Sequence, residues 1–424
     1  MMSYAEYRDS GVPWVGRIPK GWDTVPLMSV LHESRVKNVG LTENNLLSLS
    51  FGRIVRKDID AVGGLLPESF ETYQIVEPNH LVFRFTDLQN DQRSLRSARV
   101  TERGIITSAY VSMRPTGIDA RYAEHLMRSY DVTKVFYGLG GGVRQSLKFS
   151  NVARLPVILP PVEEQRAIAD YLDRETACID TLIEEQRRLI ELLDERRDGV
   201  IAEAVTKGVR PGAALVDSGV EWLGDIPEGW SVKALRRCGT LLTGSTPPTD
   251  NRGNFAEEAN ERPWVRPQDL SARTRASAWL TAEGWAASRP VPAGSVLVGC
   301  IAYSLGSVGH LPVAATTNQQ ITSVVPAEEG RYLYYVMRAA KSELWAASQM
   351  NRVPILNNQR LGAIRVPVPP VDEQRLIAAY LDEQTEKIER TRAEAERFIE
   401  LARERRSALI TAAVTGQIDV RGVA

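Results

Sequence analysis

The sequence predicts an α+β chain: two similar α/β domains separated by two long antiparallel helices that pair as a coiled coil, an internal pseudo-two-fold repeat. Three matches within the 424 residues predict it. SGVPWVGRIPKGW (10–22) returns as SGVEWLGDIPEGW (218–230), and LPPVEEQRAIADYLDRETACID (159–180) returns as VPPVDEQRLIAAYLDEQTEKIE (368–389). The third match pairs RYAEHLMRS (121–129) with RYLYYVMRA (331–339). Offsets of 208, 209 and 210 agree so closely that the whole chain must be two copies of one unit. The boundaries that follow are 1–158 for a first domain and 159–210 for a central helical spacer, then 211–367 for a second domain and 368–424 for a C-terminal helical spacer.

Each copy opens on a segment rich in Trp, Gly and Pro. The paired Trp14 and Trp22, and Trp222 and Trp230, read as packing and turn geometry, repeated because the fold is repeated. Within the variable blocks, HLVFRF (80–85) after EPN and SVLVGC (295–300) after PAG are apolar runs entered from turns, which predicts strands. Residues 121–128 and 331–338 read as short helices. The tails carry several helix signals. Pro161 and Pro370 suit the first helical position. Glu163 and Glu164, or Asp372 and Glu373, then place acids in the first turn, where the helix dipole favours them. Apolar residues follow at three- and four-residue steps: Ile168, Leu172, Ile179, Leu182, Leu189, Leu193 and Val200, then Ile377, Leu381, Ile388, Phe398, Leu401 and Leu409. Gly208 and Gly416 stand where helix-ending glycines belong. A tail of about 45 residues spans about 65 Å at 1.5 Å per residue, longer than an ordinary globular helix. Two such tails are expected to pair as an antiparallel coiled coil, with Asp173–Thr176 as a candidate break.

Composition sets the class and removes others. With 43% hydrophobic and 25% charged residues this is an ordinary globular composition. There is no apolar run long enough to span a membrane and no secretory signal, so no membrane partner is expected. Cys178, Cys238 and Cys300 lie far apart, which excludes a CxxC metal site and points to free thiols and a cytoplasmic location. The net charge of −1 hides an uneven distribution. Lys and Arg outnumber Asp and Glu by 16 to 13 over residues 28–150 and by 12 to 9 over 236–358, whereas 159–208 carries 7 against 13. Two blocks with a cationic surplus fit a phosphate-binding face within a neutral total.

Catalytic signatures are missing. There is no GxxxxGK[ST] loop, and GLGGG (138–142) lacks the strand–turn–helix setting of a dinucleotide site. The LPPV and VPPV segments do not match the Asn/Asp-Pro-Pro-aromatic element of amino-methylating enzymes. His32, His80, His125 and His310 show no metal spacing, so no metal is expected. The residues present suit contact instead. GGVRQSLK (141–148) combines glycines with Arg144, Gln145 and Lys148, and QNDQRSLRSAR (89–99) brings Arg93, Arg96 and Arg99. In the second block TNQQ (317–320) carries Asn318, Gln319 and Gln320, and QMNRVPILNNQR (349–360) carries Asn351 and Arg352, with Arg266 and Gln268 upstream. Arg can grip guanine and Asn or Gln adenine, each good pair discriminating by about 1–3 kcal/mol. The alternative for each is a turn cluster that satisfies its own backbone.

The doubled PPVEEQRAIADYLD and PPVDEQRLIAAYLD, the GxPxGW-like openings and the ending AAVTGQIDV resemble the specificity subunit of Type I restriction–modification systems, the HsdS family. The resemblance covers essentially the whole chain. It implies a non-catalytic reader of double-stranded DNA, each variable block being a target-recognition domain for one half of a split, asymmetric target. It also implies that the helices set the spacer and dock two methyltransferase subunits, which bring S-adenosylmethionine and methylate adenine at N6. The helix residues assigned to this role are Ile168, Leu172, Ile179, Leu189, Leu193, Ile377, Leu381, Ile388, Phe398 and Leu401. A restriction subunit, if it joins, would bring ATP, Mg and cleavage. A self-contained DNA-modifying enzyme and a coiled-coil assembly scaffold are the alternatives.

Overall fold

Helix-forming tails with an apolar stripe have to bury that stripe, and the computed structural model shows how. It describes residues 3–59, 69–91, 94–139, 146–271, 273–349 and 352–422. Four helices carry the architecture: α1 (Ala120–Val132), α2 (Val162–Lys207), α3 (Gly330–Ala339) and α4 (Val371–Val414). Pro161 and Pro370 stand one residue before α2 and α4, where their carbonyls accept from the Gln165 and Gln374 amides at 2.9 and 3.0 Å. The candidate break at Asp173–Thr176 does not occur, and α2 is continuous. The Asp173 carboxylate is occupied outside its own helix by His125 Nε2 (2.8 Å) and Arg121 Nη1 (3.2 Å), so it does not compete for the helix backbone.

The chain divides into two compact units, residues 1–186 with 397–424 and residues 187–396, so each long helix contributes to both. In the first unit, β1 (Asp23–Pro26) pairs antiparallel with β8 (Pro156–Leu159) beside the start of α2. The central sheet consists of β2 (Leu31–Ser34), β5 (Leu81–Phe83), β6 (Ser97–Arg99) and β7 (Val111–Pro115), antiparallel in the order β2-β7-β5-β6. A hairpin of β3 (Leu47–Ser50) and β4 (Arg53–Arg56) lies outside it. Alternation along β5 buries both faces. Leu81 and Phe83 join the main core with Tyr122, Leu126 and Tyr130 of α1, while Val82 joins Leu47, Val76, Val100 and Ile106 in a second one.

The second unit repeats the plan. There β9 (Ser231–Ala234) pairs with β16 (Arg365–Val368). Its sheet contains β10 (Gly239–Thr243), β12 (Val296–Gly299), β13 (Val308–His310) and β15 (Ile321–Pro326) in the order β10-β15-β12-β13, the same topology. Two short strands, β11 (Trp264–Val265) and β14 (Thr316–Thr317), pair in parallel. Val296 and Val298 face the core under α3, and Leu297 faces a second core with Val265, Leu311 and Ile321.

The helices run antiparallel within each unit. In the first, Ile168, Ala169 and Leu172 of α2 share a core with Ile410, Ala413 and Val414 of α4, and Asp180 pairs with Arg406 at 2.9 Å. In the second, Ile201, Ala204 and Val205 share one with Ile377, Ala378 and Leu381, and Arg197 pairs with Glu389 at 2.9 Å. Gly416 and Gly208 follow the helix ends at φ 71° and 75°, a conformation natural to glycine. A Cβ on Gly416 would lie 2.3 Å from Pro19, and one on Gly208 would lie 3.2 Å from Trp230. The opening Trp22 and Trp230, both buried, therefore close over the helix end of their own unit.

Six of the helix residues assigned to partner docking are corrected by this packing. Ile168, Leu172, Ile179, Ile377, Leu381 and Ile388 are buried within the chain's own units and offer no surface to another subunit. Leu189 and Leu193 are half-buried. Phe398 and Leu401 are 41% and 47% exposed, because α4 turns Ile399 and Ala402 inward instead. No helix among the described residues is long and apolar enough to cross a membrane.

Candidate nucleic-acid interface

The repeated signature residues come together as struts. Gln165 accepts from the Asp119 amide and donates to the Pro160 carbonyl, both at 2.8 Å, joining the first turn of α2 to the cap of α1. Gln374 does the same for Glu329 (3.4 Å) and Pro369 (2.9 Å). Arg121 reaches Asp170 at 2.6 Å, and Arg331 reaches Asp382 at 2.7 Å. The Tyr122 hydroxyl donates to Ile158 O and the Tyr332 hydroxyl to Pro367 O. These buried or paired groups explain the repeats as packing. They leave the variable loops as the surface for contact.

In the second unit, several of the residues assigned to contact lie side by side. The Asn318 amide donates to the Val265 carbonyl at 3.3 Å, so Arg266 and Asn318 emerge together from the adjacent ends of β11 and β14. Arg266 is aimed by its surroundings: its Nη2 donates to Ser277 Oγ at 2.8 Å and its amide to Asp269 Oδ2 at 2.9 Å, and its guanidinium lies 6.0 Å over the Trp264 ring. With its amide turned oxygen-inward, Gln268 accepts from Arg266 Nε at 3.1 Å. Gln319 is exposed and accepts from Thr246 Oγ1 at 2.5 Å. The Gln320 carbonyl receives the Cys300 amide at 2.9 Å, and the Cys300 carbonyl receives that of Leu356 at 2.9 Å. This stitching joins residues 318–320 to the segment that carries Arg352, which is exposed. Asn351 lies outside the described residues.

The loop at Thr243–Thr246 was missed by the residue pattern. A Cβ on Gly244 would lie 2.2 Å from the Asn318 carbonyl, so only glycine allows this approach. The TGST run directly after a strand is the signal that could have marked it.

The first unit holds fewer of the assigned residues in a contact position. Lys148 is exposed, its amide capped by Asn151 Oδ1 at 2.8 Å. The neighbouring Leu147 amide donates to Phe85 O at 3.0 Å, the counterpart of the Leu356 link. Arg99 is half-buried and committed to Glu124 at 3.0 Å and Asn79 at 3.2 Å. Arg96 is a correction. It is fully buried, donating to the Thr86 carbonyl at 3.2 Å, the Asp91 carbonyl and Tyr137 Oη at 3.2 Å, so it organises the loop after β5 and cannot reach DNA. Arg93, Arg144 and Gln145 lie outside the described residues.

Among the described residues, no group of three or more His, Cys, Asp and Glu side chains could hold a metal ion. Burial lowers the pKa of His80 and of His310, and the hydrogen bond from His125 lowers that of Asp173. Each shift belongs to packing rather than to an open cleft.

The family described as the Type I restriction modification DNA specificity domain matches residues 120–192 and 227–397, more than half of the chain. The chain belongs to that family, the DNA-specificity component and not a catalytic one. A Methanocaldococcus jannaschii chain that carries the name of a type I restriction enzyme specificity subunit, MjaX, is 22% identical over 431 residues, covering 96% of each chain. Two solved structures share the fold at 18% identity. One comes from work on complex assembly and conformational transition of a type I restriction–modification system, with TM-score 0.72 over 95% of this chain and 99% of that one. The other is the HsdS subunit from Thermoanaerobacter tengcongensis, with TM-score 0.51 over 95% and 98%.

Proposed function

We propose that this chain reads a bipartite, asymmetric DNA target for a Type I restriction–modification complex, one half-site per unit. The observation that carries the reading is the repetition of one sheet topology with different side chains at the loop ends. The first unit exposes Lys148 where the second exposes Asn357, and the second gathers Arg266, Asn318 and Gln319 at the ends of β11 and β14. Equal scaffolds with unequal readers call for two unlike half-sites. The rods α2 and α4, 46 and 44 residues, would fix the spacer at about 66–69 Å of helix. Exposed positions such as Phe398 and Leu401 would remain for two methyltransferase subunits. Those subunits would bring S-adenosylmethionine and act on a flipped adenine. A restriction subunit would add ATP, Mg and cleavage. A cytoplasmic location, where the DNA is, goes with this role.

The test is methylation mapping on genomic DNA after co-expression with the methyltransferase. Adding four residues to both helices, near Leu189 and near Phe398, extends the rod by about 6 Å. Since the duplex advances about 34 Å per turn, the spacer should lengthen by about two base pairs with the half-sites unchanged. Altered half-sites with an unchanged spacer would sink the reading. Methylation by the purified chain alone would favour the self-contained enzyme.

A further inference from the structure

The two units treat one position differently. In the first, the tip of the β3–β4 hairpin folds onto the helices: Arg128 Nη2 donates to the Gly52 carbonyl at 2.6 Å, and Arg53 lies 3.5 Å from Asp180. Gly52 has φ 76°, and a Cβ there would lie 1.8 Å from Arg128 Nη1, so hairpin and guanidinium interlock. In the repeat, Arg338 stands for Arg128 and Glu389 for Asp180. Among the described residues no hairpin covers them. A cleft of about 650 Å³ opens there instead, bounded by α3, by the second unit's parts of α2 and α4, and by the loops that carry Arg273 and Ser307.

Its lining carries five cations against four acids, one of which, Glu386, lies 3.9 Å from Arg390 outside the cleft, and the rest are unevenly matched. Asp382 is taken by Arg331 (2.7 Å) and the Tyr335 hydroxyl (2.6 Å), and Glu389 by Arg197 (2.9 Å). Arg338 reaches Asp198 only at 3.5 Å. Arg273 and Lys341 line the cleft, are exposed, and make no ion pair among the described residues. Arg273 sits on the loop that also holds Arg266 and Gln268. That loop is pinned to β13 by the bonds His310 N–H to Ser271 O (3.1 Å) and Thr274 N–H to His310 O (3.0 Å). The cleft is thus continuous with the proposed reading loops of its unit.

We propose that this cleft seats the sugar–phosphate backbone of the DNA beside the half-site read by the second unit, with Arg273 and Lys341 as phosphate contacts and Arg338 behind them. The proposal rests on the DNA-recognition reading above and adds to it a sequence-independent clamp, present in the second unit and replaced by the chain's own hairpin in the first. Phosphate contacts position and do not specify, so their loss weakens all duplexes alike.

The test uses the complex with the methyltransferase, a duplex carrying the mapped site and a scrambled duplex, with binding followed by anisotropy across a salt series. Arg273→Gln and Lys341→Gln alter exposed side chains and should leave thermal unfolding unchanged. Each should flatten the plot of log affinity against log salt by about 0.9. Between about 50 and 200 mM salt, the double variant should then lose about twelvefold less affinity than the parent. Cognate and scrambled affinities should fall by the same factor, and the methylated sequence should not change. An unchanged slope overturns the proposal. So does an unchanged slope with loss of the methyltransferase from the complex on gel filtration, which would assign the cleft to a protein partner. Should the parent complex bind both duplexes alike, the specificity reading fails, while the slope still decides the clamp.

Discussion

Gln165 occupies a position written twice in the sequence, and the structure makes it a buried strut. Its side chain holds two backbone groups at 2.8 Å, the Asp119 amide and the Pro160 carbonyl. Gln165→Ala removes both bonds and leaves both groups to find other partners. An orphaned buried group costs about 1–3 kcal/mol. Asp119 is half-buried and can recruit water, whereas Pro160 is buried. The total is therefore set at about 2–4 kcal/mol. For a unit of some 210 residues this corresponds to a Tm lower by about 5–15 °C. The assay is differential scanning calorimetry, because two units need not unfold in one step and a single unfolding free energy would be ill-defined. Gln165→Ala should move the transition of the first unit, and Gln374→Ala that of the second. The reasoning is refuted if either variant keeps its Tm and instead alters the methylated sequence, since the repeated glutamine would then be facing a ligand.

Two further outcomes follow from the same packing. Arg96→Ala should lower the stability of the first unit by about 2–4 kcal/mol through its abandoned carbonyls and leave the salt dependence of DNA binding as it was; a flatter salt slope at an unchanged Tm would restore it as a phosphate contact. The buried His80 and the half-buried His310 have folded pKa values below the ordinary histidine value of 6.5. Their contribution is thus fully present above pH 6.5 and lost as pH falls below it, at up to about 1.4 kcal/mol per pH unit for each. Asp173, also lowered, adds a loss further into acid. Unfolding followed from pH 8 to 5 should show the decline, and His80→Gln should reduce it; a flat profile in the parent would contradict the burial argument.

Much of this protein could be read from one line of residues. Duplication, helix extent and the strands near 80 and 295 depend on spacing along the chain, and burial of a periodic stripe follows from local geometry. The dense pattern around Ile168 and Ile377 marked an apolar stripe, but it did not show that the chain itself, and not another subunit, covers it. In the C-terminal part of α4 it thins, so Phe398 and Leu401 were chosen where Ile399 and Ala402 turn inward. The candidate interface was less legible. Arg266, Asn318 and Gln319 could be named by type, but their meeting depends on a parallel pairing of two short strands more than fifty residues apart.

The sequence by itself determined that there are two copies of one unit, each ending in a long helix, with side chains that differ between copies across the variable blocks. Only the tertiary structure decided which cations are spent and which are free to act. Arg96 is consumed by carbonyls, Arg99 by Glu124 and Arg128 by a hairpin, while Arg273 and Lys341 face an open cleft. The physical reason is that a guanidinium looks the same in sequence whether its counter-charge is near or absent. Neutralisation depends on distance in space, and folding sets that distance through contacts the linear order does not contain.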